Sequence, residues 1–236
     1  MTGVAKGAVL NPNVMVIVAH PDDAESWAGG TVAKFAREGR AVTYIVVTNG
    51  EKGSADRTMM PDRLAAIRWD EQCRAAGALG VQRVEFLGYP DCGVEDTRDL
   101  RYDIRSQIRR FKPDLLITHD PRRTHNLGVS HRDHRIVGGV ALDAVVLDCM
   151  YPPRTVREIY LIHPADAPNL VIDISETIQL KAEAFACHAS QVKHPTPAMA
   201  SIRERAARLG QGYGFAYAEG FTRVVAQQPV PTLESN

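Results

Sequence analysis

Apolar positions along this chain alternate between two rhythms. Val14–Ala19 is a short unbroken apolar run, the form taken by a strand buried on both faces. Ala24–Glu38 then shows helical spacing through Trp27, Thr31, Lys34 and Phe35, and Gly39 stands where a helix C-cap is wanted. Ala41–Val47 is a second β-branched run, followed by the polar, glycine-containing stretch Thr48–Ser54. The alternation continues with a helix over Asp62–Leu79 closed by Gly80, a strand over Val84–Leu87 and a helix over Leu100–Phe111 ended by Lys112-Pro113. A strand over Leu115–Thr118 and a helix over Arg135–Leu147 follow. The last third is less regular: strands over Glu158–Ile162 and Leu170–Ile174, helices over Glu176–Ala186 and Ala198–Leu209, then a segment over Gly210–Gly220 rich in glycine and aromatics.

Strands and helices alternating at this spacing predict an α/β fold, a mostly parallel sheet with helices on both faces in three layers. Ligands of such sheets bind beyond the carboxyl ends of the strands. His20, Asp22 and Asp23 follow the first strand at that end, Thr48–Ser54 the second, Asp91 the third and His119–His134 the fourth. The polar clusters therefore share one rim. Residues 1–226 read as a single domain and 227–236, polar with two prolines, as a flexible tail.

Composition narrows the partners. The 236 residues carry 28 basic and 28 acidic side chains, so no global positive field invites nucleic acid or an anionic membrane. The basic group Arg105, Arg109, Arg110 and Lys112 reads as a solvated helix face. Cys73, Cys92, Cys149 and Cys187 are scattered without a CxxC pair, which argues for reduced thiols and a cytoplasmic protein. No apolar run is long enough for a transmembrane helix.

The chemistry lies in two clusters. In His20-Pro21-Asp22-Asp23 a turn directly after a strand can aim His20 and Asp23 at one ion, leaving Asp22 free as a base. Asp-Asp before a helix also fits a plain N-cap. A catalytic zinc usually takes three protein ligands, and His131-Arg132-Asp133-His134 can supply the third. One imidazole there would ligate while the other faces substrate, and Asp133 can orient an imidazole through its ring N–H. Arg68 with Glu71 fits a surface ion pair as well as a site role. Trp27 and Phe35 read as core, His163 and His194 as turn residues before prolines. His119, His125 and His188 are further candidates to line the site.

Ala19-His20-Pro21-Asp22-Asp23 followed by His131-Arg132-Asp133-His134 resembles the PIG-L/LmbE-like zinc-dependent de-N-acetylases. Thr48-Asn49-Gly50-Glu51, Phe86-Leu87-Gly88-Tyr89-Pro90-Asp91 and His188-Ala189-Ser190-Gln191 resemble recurring segments of the same family. The resemblance implies a Rossmann-like fold and hydrolysis of an N-acetyl group from an N-acetylglucosamine-containing small molecule. It implies that His20, Asp23 and His134 ligate zinc, that Asp22 is the general base, and that His131 is the oxyanion stabiliser or acid tuned by Asp133. Arg68 and Asp91 would hold sugar hydroxyls. Arg132 stands where the family usually has proline, and no tyrosine precedes His131, where Val129 and Ser130 stand. A homo-oligomer is implied by family analogy alone.

Other readings are weaker. An amidase for a larger acyl group would use the same site. A metal-dependent phosphoesterase often needs two metals and more ligands. A dinucleotide-binding module would need GxGxxG where His20-Pro21-Asp22-Asp23 stands. Iron(II) uses the same ligand set as zinc.

Overall fold

A computed structural model describes residues 13–123, 131–150 and 155–226. His125, Val129, Ser130, the Cys149 side chain and the tail lie outside the described residues.

The unbroken apolar runs became the centre of a sheet. β1 (Val14–Val18) is buried at every position, as is β4 (Leu115–His119) beside it. β2 (Val42–Thr48) flanks β1 on its other side, β3 (Arg83–Tyr89) lies beyond β2, and β5 (Glu158–Ile162) lies beyond β4. These five strands are parallel. β6 (Leu170–Asp173) and β7 (Ala218–Val225) complete the order β3-β2-β1-β4-β5-β7-β6. β7 runs antiparallel to both β5 and β6. It replaces the irregular end expected after Gly210.

The period of two along β1 splits the core. Val14, Val16 and Val18 pack in one cluster with α1 (Asp23–Arg37), α2 (Pro61–Leu79) and α5 (Ile178–Ala186). Met15, Ile17 and Ala19 pack in the other with α3 (Arg98–Phe111) and α4 (Arg132–Met150). α6 (Pro195–Gln211) adds a smaller cluster against α5. The three-layer α/β architecture follows. The chain leaves β1 for β2 on one side, and β4 lies on the other. The carboxyl ends of β1 and β4 therefore flank the point where the strand order reverses, where open α/β sheets form a crevice.

Candidate metal centre

His20 lies two residues past β1, and His119 is the last residue of β4. His119 Nε2 accepts the Ala19 N–H at 3.1 Å, which fixes its ring and leaves Nδ1 protonated. Burial and the neighbouring His134 push its pKa down to about 4. α4 sits hard against this strand end because Gly138 has no side chain: a Cβ there would meet the His119 carbonyl oxygen at 2.4 Å. One turn earlier His134 stacks on His119, ring centroids 4.2 Å apart and 5° from parallel.

Three donors converge as a result. His20 Nδ1 is 3.2 Å from His134 Nε2 and 3.4 Å from Asp23 Oδ2. His134 Nε2 is 3.1 Å from Asp23 Oδ1. Ligands held about 2.0–2.2 Å from a tetrahedral zinc lie roughly 3.3–3.6 Å apart, so this donor set fits one divalent ion. The charge distribution also favours a cation. Asp23, Asp91 and Asp133 are 5%, 4% and 0% exposed around the one imidazole of His20. Burial opposes charge on that ring, yet hydrogen bonding toward Asp133, Asp23 and Asp91 holds its pKa well above the ordinary histidine value. Burial likewise disfavours the Asp23 anion, but His134 and His119 hold it well below the usual carboxylate range.

Asp22 departs from the N-cap reading. It occupies the N-cap position of α1 with φ of 97°, and its side chain caps no helix amide. A left-handed non-glycine residue costs about 1–3 kcal/mol and persists only where its surroundings over-determine it. Here Gln72 Oε1 accepts the Asp22 N–H at 3.1 Å, and Arg68 Nη2 donates to Pro21 O at 2.6 Å and Asp22 Oδ2 at 3.1 Å. Burial and Asp23 push the Asp22 carboxyl up to about 6, against the pull of Arg68.

Arg68 and Asp91, expected as sugar-holding side chains, are both buried and make several contacts within the protein. Arg68 is 3% exposed, and its other Nη donates to Gly50 O at 2.9 Å. A Cβ on Gly50 or Gly53 would lie 2.4 Å from that nitrogen, so the glycine loop is shaped around the guanidinium. Arg68 and Glu71 are not an exposed pair either: Glu71 is buried and accepts both the Ser190 N–H and hydroxyl at 2.7 Å. Asp91 accepts the Lys52 N–H at 3.1 Å and faces His20 Nε2 at 3.1 Å. Buried charges spend their bonding capacity inward, and these two clamp the turn and the ring.

The His131 side chain is 38% exposed. Its Nδ1 accepts the Asp133 N–H at 3.2 Å, so the neutral ring carries its proton on Nε2. Burial and the charge on His20 lower its pKa. The Asp133 carboxylate lies 3.9 Å from His131 Nδ1 and 3.4 Å from His20 Nε2, and accepts the Cys92 N–H at 2.8 Å. Its orienting contact is therefore with His20 and the Cys92 loop more than with His131.

A buried chain supports Asp22 from behind. Gln72 Nε2 donates to Glu25 at 2.9 Å, and the other Glu25 oxygen is 3.2 Å from His188 Nε2. Sequence reasoning missed Gln72 and Glu25. The available signal was a polar stripe at Arg68, Glu71 and Gln72 on a helix otherwise facing the core. Trp27 is not simple core. It is partly buried, stacks on His163 with centroids 3.7 Å apart, and carries the Arg205 guanidinium 4.2 Å over its ring. It lines a cavity of about 230 Å³ with His163, Pro168, Ile202 and Leu209. Among the described residues no helix is long and apolar enough to cross a membrane, and Cys73, Cys92 and Cys187 are free thiols.

Comparison with known proteins shows the family. The family PIG-L, described as GlcNAc-PI de-N-acetylase, matches residues 15–145. The diacetylchitobiose deacetylase of Thermococcus kodakarensis is 30% identical over 222 residues, covering 88% of this chain and 81% of that protein. A 1D-myo-inositol 2-acetamido-2-deoxy-alpha-D-glucopyranoside deacetylase of Mycobacterium sp. strain KMS is 27% identical, covering 78% of this chain and 75% of its own. The solved N,N'-diacetylchitobiose deacetylase of Pyrococcus horikoshii superposes with a TM-score of 0.81 at 28% identity, covering 94% of this chain and 88% of that one.

Proposed function

Because the chain belongs to the PIG-L family, we propose that it is a metal-dependent amidase that removes the N-acetyl group from an N-acetylglucosamine-containing small molecule, releasing acetate and a free amine. The observation that carries this reading is the convergence of His20, Asp23 and His134 beside a base held on a strained turn. His20 Nδ1, Asp23 Oδ1 and His134 Nε2 are the proposed ligands, and zinc is the proposed ion, with iron(II) as the alternative. When bound, the ion supplies a Lewis acid and makes water acidic enough to react near neutral pH.

This chain's residues do the rest. Asp22 takes the proton of the attacking water through a carboxylate oriented by Arg68. His131 donates its Nε2–H to the oxyanion, and it can do so as a neutral imidazole because Nδ1 is occupied by the Asp133 N–H. Asp22, then protonated, returns its proton to the departing amine. Asp91 and Asp133 hold the far side of the His20 ring. Arg68 acts as a positioning residue. The scattered free thiols favour a cytoplasmic setting, and family analogy favours a homo-oligomer.

The test is acetate release from di-N-acetylchitobiose, from N-acetylglucosamine and from its malate and inositol conjugates. Metal-stripped protein should be inactive, and zinc should restore release from at least one of them. A folded, zinc-loaded protein that frees no acetate would remove the N-acetyl assignment and favour a larger acyl group. Phosphate release from a phosphoester would replace the reaction class.

A further inference from the structure

α6 carries a cation that the fold does not neutralise. Ala198, Ser201, Ile202 and Arg205 recur three and four residues apart, so they share one face of that helix. Ile202 is buried against α5, while Arg205 reaches back to α1. Its guanidinium lies 4.2 Å over the Trp27 ring, and Nη2 donates to the Ser26 carbonyl and, at 3.3 Å, to Ser26 Oγ. Both bonds use Nη2, so Nε–H and Nη1–H remain to donate. Burial pushes the guanidinium pKa down, and Glu219, the carboxylate that counters this, is already paired with Lys181. Among the described residues no ion pair holds Arg205 or Lys193.

That face of α6 borders a cleft of about 440 Å³, a size that suits a small molecule. Phe185, Val192 and Ile202 give it apolar walls, Lys193 and Arg205 give it charge, and among the described residues no acidic side chain lines it. α6 starts at this cleft, so the positive end of its dipole adds to the field. The cleft also reaches the turn that holds the proposed base. Ser26, on its rim, donates its N–H to Asp22 O at 2.9 Å. Gln191, also on its rim, stands against the glycine loop around Arg68: a Cβ on Gly53 would lie 3.0 Å from Gln191 Oε1.

We propose that this cleft receives a carboxylate-bearing group of the substrate, on the part of the molecule beyond the acetylated sugar, and that Arg205 selects for it with help from Lys193. A carboxylate there gains charge-assisted hydrogen bonds, whereas a neutral hydroxyl gains only ordinary ones. Arg205 sets specificity and touches no reacting atom. That the occupant is part of the substrate rests on the proposed reaction; the attraction of the cleft for a carboxylate does not.

Paired conjugates of N-acetylglucosamine test this. Zinc-loaded protein should deacetylate the acidic malate conjugate with a kcat/KM about tenfold or more above that of the neutral inositol conjugate. Arg205→Gln should reduce that ratio by about tenfold, chiefly through KM for the malate conjugate, and Arg205→Lys should keep most of it. Lys193→Gln should lower the ratio by less. A wild-type ratio near one, or a loss in Arg205→Gln that falls on both conjugates alike, overturns the assignment. Binding is read separately in metal-stripped protein, where neither conjugate should be hydrolysed. Trp69→Phe leaves Trp27 as the single tryptophan. Its fluorescence should respond to the malate conjugate at concentrations about tenfold or more below those the inositol conjugate needs, and adding Arg205→Gln should remove the difference. Equal responses, or none, overturn the site. If neither conjugate releases acetate, the reaction assignment fails and the binding comparison still decides the cleft.

Discussion

Asp22 concentrates several costs in one residue. It is left-handed, it neighbours another carboxylate, and it depends on Arg68 for charge compensation. Asparagine tolerates the same backbone conformation and keeps the shape, but cannot accept a proton as a carboxylate does. Asp22→Asn should therefore bind metal with unchanged stoichiometry and lose turnover by about 10²–10⁴. Near-normal activity with the ion bound would remove Asp22 as the base. The residues whose donors converge were legible because each follows a strand or opens a helix, and the element pattern orders those ends. The partners of Asp22 were not legible. Arg68 and Gln72 come from a helix two elements away, and only packing turns them inward. His163 is a second case in which contacts override local sequence. It was read as a turn residue, and its φ of 49° agrees, but its ring is committed to Trp27. Burial, with Arg123 and His134 near, lowers its pKa to about 3. The sign follows from linkage. The unfolded chain takes this proton near pH 6.5 and the folded chain only near pH 3, so this contribution is full above 6.5 and is lost progressively on acidification below it. His163→Asn removes the titrating ring. Urea midpoints of the two proteins should converge between pH 7 and 4, and a constant difference would contradict the assignment.

At the scale of elements, β7 is where pattern reading stopped. Its burial does not alternate cleanly, and a glutamate occupies one of its buried positions. A charged residue inside a strand hides that strand from any rule that pairs apolar with buried. The reason lies in α1 and α5. Glu219 accepts the Gly30 and Thr31 N–H groups at 2.9 and 2.7 Å and pairs with Lys181, itself 2% exposed. One carboxylate thereby joins three elements. Removing one partner of a buried pair leaves the other charge uncompensated, which costs about 3–5 kcal/mol, whereas removing both charges often costs little. Lys181→Met should be destabilised by about that amount. Lys181→Met with Glu219→Gln should recover much of it, since the amide oxygen still accepts one helix N–H. Denaturant unfolding of the two variants checks this, and equal destabilisation would show the pair to be weak. By contrast β1, β2 and β4 were legible, because strands buried on both faces take mostly apolar residues.

Across the whole molecule the two apolar clusters are well closed, and the switch point is the place where the fold is least satisfied. Three buried carboxylates, His20 and His134 meet there with donors spaced for an ion. The chain carries no net charge overall, so this imbalance is local and not a property of its composition. An ion that binds the folded protein alone must stabilise it by mass action, by about 2.7 kcal/mol at a hundredfold excess over Kd. For a domain of this size each kcal/mol moves Tm by about 2–4 °C, so zinc at that excess should raise Tm by roughly 5–11 °C over metal-stripped protein. His134→Ala takes one of the three converging donors away and should lose most of the shift while leaving the stripped Tm close to that of wild type. The outcome separates two accounts of the same cluster. If the carboxylates and imidazoles were a structural network complete in themselves, zinc would leave Tm where it was, and His134→Ala would lower the stripped Tm instead.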